Sequence, residues 1–360
     1  MIFFEKNTLL FIILTLGITF IFSFLINLIL LKFSQSFGSR NYSIKEIRWS
    51  SASKPSLGGI SFYLIFLITF IFLNLIINQL PIHYSNLKII GILTVCTLAF
   101  IMGLADDAYN TRPLLKFSIQ VACGLILYFT NSKINIFTSE TINFAFTIFW
   151  VVGIMNSINM LDNMDGIATI VSIVILFFIV SLHFNLNTVF SPISFLSLGL
   201  LGGMLGFLIY NWNPSKMFMG DTGSQFIGVF LAIVGIDNGW NSSSLINNSW
   251  YSVNPILIGF VVICTVYILP LVDTVTVFIN RIKIGKSPFI GGKDHTTHHL
   301  FFKGITEKRI AILYFCIQFI GLCLALNLIL NYHFFWLIIS IVFCSLVFLS
   351  LYLNTIIKRK

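Results

Sequence analysis

Apolar residues in this chain come in successive runs of roughly 17–25, the length that crosses a ~30 Å hydrocarbon core. Eleven such segments can be drawn, at about 8–31, 57–78, 86–104, 113–131, 141–157, 166–184, 192–210, 222–237, 253–279, 310–330 and 334–357. Inside lipid every backbone N–H and C=O must be paired within the segment, so each run is expected to be a helix. The expected fold is all-α: a polytopic membrane bundle of about eleven transmembrane helices, read as one membrane-embedded unit over residues 1–360. Only 9% of residues are charged, against about 25% in soluble domains. The six cysteines all lie in apolar runs without a C-x-x-C pair, which indicates neither a zinc site nor a disulfide framework. The stretch 8–31 is too long for a signal-peptide core and lacks a small-residue cleavage site, so it is taken as the first span.

The charges sort by side. Loops following odd-numbered segments, with the C-terminal tail, hold 18 of the 21 Lys and Arg; Lys6, Lys88 and Lys133 fall opposite. By the positive-inside rule the first side is cytoplasmic, which puts the N-terminus outside and the C-terminus inside. A basic excess used for topology gives no reason to invoke nucleic acid. Nine of the twelve acids fall on or near that same face: Glu46, Asp106, Asp107, Asp162, Asp165, Asp221, Asp273, Asp294 and Glu307. A transporter would more naturally carry ionisable groups in mid-span. Acids gathered at span ends point instead to a polar, metal-bound substrate met at the cytoplasmic mouth, although a cation-coupled transporter remains the competing class.

Five motifs lie on that face. Ser53-Lys-Pro-Ser-Leu-Gly-Gly59 leads into the second segment, with Lys54 available to a phosphate and two glycines that permit close backbone approach. Asp106-Asp107 ends the third segment; neighbouring helical side chains point about 100° apart, so one faces the site directly. Carboxylate oxygens there suit Mg²⁺, and Lys116 opens the next segment; a solvated helix end is the plainer alternative. Asn156, Asn159, Asp162 and Asp165 recur every third residue and, if helical, form a slanted polar ladder. In Phe218-Met-Gly-Asp221-Thr-Gly-Ser224, Asp221 is either an N-cap or an accessible ligand, and Phe218 can stack on a flat ring. Asp273 lies about 12 Å inward of Arg281, an unusual depth for a charge. After it comes Lys293-Asp294-His295-Thr-Thr-His298-His299, whose histidines suit a diphosphate or, less well without cysteine, zinc.

Taken in order, K-P-x-x-G-G, G-x-x-D-D, N-x-x-N-x-x-D-x-x-D-G and F-M-G-D-x-G-S resemble the polyprenyl-phosphate N-acetylhexosamine-1-phosphate transferase family, with the likeness covering about residues 50–305. The resemblance implies an integral membrane enzyme that moves a sugar 1-phosphate from a UDP-N-acetylhexosamine to undecaprenyl phosphate, releasing UMP and initiating cell-envelope polysaccharide synthesis. It implies Mg²⁺, with Mn²⁺ as the alternative ion, a multi-pass place in the inner (cytoplasmic) membrane, membrane lipid as a partner, and a homodimer as an assembly to consider. The L-P-x-x-D-T run ending at Asp273-Thr274 is similar to the polysaccharide-initiating branch; the peptidoglycan translocase branch, which acts on UDP-MurNAc-pentapeptide, is the alternative. His299 and Asn163 depart from the family pattern, where arginine and glycine are common. Carried over residue by residue, the likeness implies Asp221 and Asn159 as metal ligands, Asp106 at the acceptor phosphate with Lys116 holding that phosphate, and Asp107 supporting the pair. Lys54, Asn156, Asp162, Asp165 and Phe218 are implied on the uridine side, and His295, His298 and His299 at the diphosphate or sugar.

Overall fold

The computed structural model describes residues 7–34, 54–77, 85–246, 254–287 and 292–356. Among them are thirteen α-helices and one 3₁₀ turn, with no strand. The helices are α1 (Thr8–Ser34), α2 (Gly58–Ile77), α3 (Asn86–Tyr109), α4 (Pro113–Phe129), α5 (Glu140–Leu161), α6 (Ile167–Asn185), α7 (Pro192–Asn211), α8 (Gly220–Asn238), α9 (Pro255–Val266), α10 (Ile268–Lys283), α11 (Thr296–Phe302), α12 (Glu307–Leu330) and α13 (Phe334–Ile356). Every one of the eleven apolar segments is helical. Eight helices are individually long and apolar enough to cross a membrane, and the bent pair α9–α10 makes a ninth. Ser53, most of the loop 32–56, residues 288–291 of the histidine loop and the terminal charges Glu5, Lys6 and Lys358 to Lys360 lie outside the described residues.

Burial orders the bundle. In α6 and α7, 78% and 83% of the apolar window is buried, against 17% in α1 and 22% in α13. Helices apolar all round are central when protein surrounds them and peripheral when lipid does, so α6, α7 and the buried α8 form the core. Helices α3 and α8 run antiparallel, tied near one end by Asp107 to Thr222 and near the other by Lys88 to Asp237. The span from 107 to 88 covers about 28 Å at 1.5 Å per residue, close to the thickness of a hydrocarbon core. The acidic motifs therefore share one end of the bundle, and Lys88, Lys133, Glu140 and Asp237 share the other.

The ninth segment differs from a straight span: it turns by 88° between α9 and α10. Pro270 is the physical cause, because its ring has no N–H to give and clashes with the carbonyl four residues back, that of Val266. Gln318 of α12 donates its amide to that Val266 carbonyl, and Tyr267 at the break donates its hydroxyl to Leu231 O at 2.6 Å. By leaving the bundle axis, α10 opens a wedge beside α5.

Candidate active site

The wedge is a cleft of about 1090 Å³. At its polar end are Asn156, Asn159, Asp162, Asp165, Phe218, Asp221, His295 and His298; the far end is walled by Phe146, Phe149, Trp150, Trp240 and Phe260.

Asp106 and Asp107 diverge, as adjacent helical residues must. Asp106, 5% exposed, accepts from Thr111 N at 2.8 Å and Thr111 Oγ1 at 2.7 Å, and forms an ion pair with Lys116. Lys116 Nζ is also 3.8 Å from Asp221 Oδ2. Asp107 accepts from Asp221 N at 3.1 Å, Thr222 N at 2.8 Å and Thr222 Oγ1 at 2.6 Å. It caps α8 from another helix, since Met219 at the local N-cap position offers no side-chain acceptor. Asp221 is thus a first-turn residue rather than the cap, and its Oδ1 accepts from Asn159 Nδ2, which also reaches Ser224 Oγ at 2.8 Å. A Cβ on Gly103 would come within 2.4 Å of Asp221 O, and one on Gly59 within 2.2 Å of Gly223 N. Glycine at these two positions lets α3 and α2 press directly on the backbone that carries Asp221.

Lys54 to Gly59 fastens this turn. Phe218 N donates to Pro55 O at 3.0 Å, Gly58 N to Phe218 O at 3.2 Å and Gly59 N to Met219 O at 3.1 Å. Lys54 Nζ lies over the Phe218 ring, 5.1 Å from its centre, donates to Ser215 Oγ at 2.9 Å and is 3.5 Å from Asp165. The oxygens of Asp165 also accept from Ser215 N at 2.9 Å, Ser215 Oγ at 2.7 Å and Asn213 Nδ2 at 3.1 Å. Asp165 therefore organises the loop before α8 with every hydrogen bond it makes here.

The polar ladder is helical only in its first half. Helix α5 stops at Leu161, and Asp162 to Gly166 turn back, Gly166 at φ +75°. Asp162 is half-buried, and its pKa is pushed up to about 7 by burial and then by the carboxylates of Asp107 and Asp165. Asn156 exchanges hydrogen bonds with Gln120, at 2.8 Å and 3.3 Å, and Gln120 donates to Gln225 at 3.1 Å. Gln120, 2% exposed, and Gln225 were not singled out from the sequence. Gln120 carried a signal all the same: an amide in an apolar run, one turn beyond Lys116 on the same helix face.

The histidine loop is anchored from below. Buried Asp273 accepts from Thr296 N at 2.8 Å and Thr296 Oγ1 at 2.5 Å, and pairs with His295 Nδ1 at 2.8 Å. Arg281 grips Asp294 with two bonds of 2.7 Å. Asn163, where the family pattern has glycine, accepts from Thr297 Oγ1 at 2.7 Å and so ties the loop to the ladder. His295 and His298 face the cleft; His299 does not line it, and packs on Phe302. Burial first, then the charge of His295, pushes the pKa of His298 down to about 4, and burial also lowers that of His299. A value of about 4 keeps the His298 imidazole neutral at pH 7, a hydrogen-bonding group rather than a cation.

The donor set suits a hard divalent cation. Asp106 and Asp221 approach within hydrogen-bonding reach of each other, an arrangement that two carboxylates sustain only with a proton or cation between them. Asp107 adds a third negative charge, Lys116 is the close counter-ion, and the Asn159 amide can present oxygen when turned. Among the described residues no three His, Cys, Asp or Glu side chains form a ready metal cage. A few carboxylate oxygens completed by substrate phosphates is the way Mg²⁺ is usually held.

Residues 89–238 match the model of the family described as glycosyl transferase family 4. A probable undecaprenyl-phosphate N-acetylglucosaminyl 1-phosphate transferase of Bacillus subtilis (strain 168) is 30% identical over 278 residues, 74% of this chain and 73% of the relative. The chain belongs to this family. It is also 28% identical over 285 residues to a decaprenyl-phosphate N-acetylglucosaminephosphotransferase of Mycobacterium leprae, covering 72% of this chain and 69% of that protein. A phospho-N-acetylmuramoyl-pentapeptide-transferase of Streptococcus agalactiae is 32% identical, but over 206 residues, 52% of this chain and 60% of the relative. The transferases of N-acetylglucosamine 1-phosphate thus align over more of the chain than the translocase does.

Proposed function

We infer that this phosphosugar transferase moves N-acetylglucosamine 1-phosphate, or a closely related N-acetylhexosamine 1-phosphate, from its UDP conjugate to undecaprenyl phosphate. The observation that carries the reading is the cleft itself: one end gathers Asp221, Asn159, His295 and His298, and the other is an aromatic groove walled by Phe146, Phe149, Trp150, Trp240 and Phe260. A nucleotide sugar and an isoprenoid phosphate need those two chemistries to meet. The basic residues orient the bundle with the polar end toward the cytoplasm, the N-terminus outside and the C-terminus inside, in the cytoplasmic membrane. The whole chain acts as one transferase unit.

The lipid phosphate attacks directly. One of its oxygens, already ionised at pH 7, forms a bond to the sugar-bearing phosphorus; the bond from that phosphorus to the bridging oxygen breaks, and UMP leaves with the electron pair. Lys116 holds the acceptor phosphate and offsets repulsion between the two anions. Asp106 orients Lys116, and Asp107, as a positioning residue, holds the α8 turn so that Asp221 faces the cleft. Phe218 and Lys54 frame the uridine side with Asn156, Asp162 and Asp165. His295 and His298 donate hydrogen bonds to the diphosphate or sugar, with His299 supporting them from behind. Asp221 and Asn159 would hold Mg²⁺, or Mn²⁺ in its place. Such an ion, when bound, screens phosphate charge and stabilises the charge that develops in transfer. Because Asp106 already accepts from Thr111 and pairs with Lys116, a single direct displacement is favoured over a covalent aspartyl intermediate.

Purified protein given undecaprenyl phosphate, Mg²⁺ and a panel of UDP-sugars should release UMP. Asp221→Asn should cost more than the roughly 10–100-fold typical of residues that merely support a metal ligand and should blunt the response to Mg²⁺. Unchanged kinetics in that variant would reject the metal role.

A further inference from the structure

The histidine helix α11 has only seven residues, Thr296–Phe302, about two turns and too few to hold itself in place. Its position comes from what its first residues grip. His295 and Thr296 both bind Asp273 of α10. Thr297 binds a different element, donating to Asn163 in the turn that follows α5. That turn also carries Asp162 and Asp165 of the nucleotide wall. Successive residues at the start of one short helix therefore fasten it to two separate parts of the polar end.

Asn163 is oriented for this bond. Its Nδ2 donates to Met160 O at 2.9 Å, at the end of α5, which leaves Oδ1 to accept from Thr297 Oγ1 at 2.7 Å. Thr297 is fully buried, so water does not compete for the bond, and low local polarity strengthens it. Asn163 borders the cleft together with His295 and His298. The two imidazoles lie edge to face with centres 5.3 Å apart, and His295 N donates to His298 Nδ1 at 3.4 Å, so they move as one body with α11. The glycine common at position 163 in the family pattern has no side chain to reach Thr297, which makes the latch a property of this chain.

We propose that Asn163 is a positioning residue for the transferred sugar phosphate: through Thr297 it locks the histidine helix to the nucleotide wall, so that a UDP-sugar meets His295 and His298 already in place. Without the latch, the cost of ordering the loop is subtracted from affinity when the ligand arrives. The inference rests on the transferase reading, in which the nucleotide takes the Asp162 and Asp165 side and the histidines meet the diphosphate or sugar. It predicts a split between ligands, because UMP lacks the sugar 1-phosphate that reaches the histidines.

Calorimetric titration of the full chain in detergent with Mg²⁺ and either UDP-N-acetylglucosamine or UMP reads that split without turnover. Thr297→Val, close in shape but lacking the donor, should weaken UDP-N-acetylglucosamine roughly 3–10-fold, the worth of one hydrogen bond, and leave UMP within about twofold. Asn163→Ala should do the same and decides the matter if Thr297→Val does not fold. Thr297→Ser, which keeps the donor, should bind both ligands as wild type does. Because the two side chains share one bond, the double variant should be no weaker than the weaker single variant. In turnover the loss should appear in KM for the UDP-sugar, with kcat and KM for undecaprenyl phosphate changed far less. Equal weakening of both ligands, additive losses in the double variant, or wild-type affinity in Thr297→Val would overturn the proposal. Wild-type protein that binds neither ligand would instead reject the transferase reading itself.

Discussion

Asp107 separates a chemical from an architectural reading of the paired aspartates. Its carboxylate accepts hydrogen bonds from Asp221 N, Thr222 N and Thr222 Oγ1 of the α8 turn. Asp107→Ala would remove a helix cap, typically about 0.5–2 kcal/mol, and leave donors unpaired at about 1–3 kcal/mol. Since the two estimates overlap, a total of roughly 2–4 kcal/mol is expected. Asp107→Asn keeps one acceptor oxygen but turns an NH₂ group toward a donor, so about half of that loss is expected. The bond it breaks lies in the backbone of the proposed metal ligand, and a displacement of about 1 Å at a reacting centre can cost ~100-fold in rate. The assay pairs denaturant unfolding in detergent with UMP release from pH 6 to 9. A positioning role predicts lower stability, lower kcat and a pH profile of unchanged shape, with Asn intermediate between Asp and Ala. Wild-type stability in Asp107→Ala with loss of one limb of the pH profile would refute this reasoning and make Asp107 a proton-transfer group.

Two other predictions follow from packing and charge. Gly103→Ala would push a methyl into the Asp221 carbonyl and Thr222 Cα, backbone atoms that cannot rotate away. It should cost about 1–3 kcal/mol and most of the turnover, whereas Gly17→Ala, with open space around it, should be silent; wild-type activity in Gly103→Ala would refute the close approach. Asp162, pushed up to about 7 in the ligand-free protein, contributes stability that is fully present below the unfolded carboxylate value near 3.9 and is lost as pH rises through 7. Asp162→Asn should therefore gain stability relative to wild type between pH 5 and 8, measured by denaturant midpoints; a pH-independent difference would sink the assignment.

Much of the site was legible because short spacings on span ends survive folding. Asp106, Lys116, Asn159 and Asp221 come from four helices, Asp106 and Asn159 near C-terminal ends and Lys116 and Asp221 near N-terminal ends, and alternating the spans brings all four to one face of the bundle. What lay beyond the sequence was what touches what. Asp107 also holds the start of α8, and Asp165 the loop before it, contacts that no spacing in the sequence reveals. The ladder at 156–165 breaks at Asp162 because the side chains of Asp162, Asn163 and Asp165 compete with the helix for its backbone hydrogen bonds, and Gly166 at φ +75° turns the chain away. Pro270 signalled the break in the ninth segment, but that α10 would swing outward and open the cleft depended on Gln318 and Tyr267, distant in sequence. Burial, which no local pattern reveals, lowers the pKa of both His298 and His299.

The most direct test is the lipid product. Incubated with UDP-N-acetylglucosamine, undecaprenyl phosphate and Mg²⁺, the purified protein should yield undecaprenyl-diphosphate-N-acetylglucosamine, identified by mass spectrometry, in amounts equal to the UMP released and reversible on adding UMP. Consumption of UDP-MurNAc-pentapeptide instead would move the chain to the translocase branch. Passage of solute across sealed vesicles without any lipid-linked product would contradict the account.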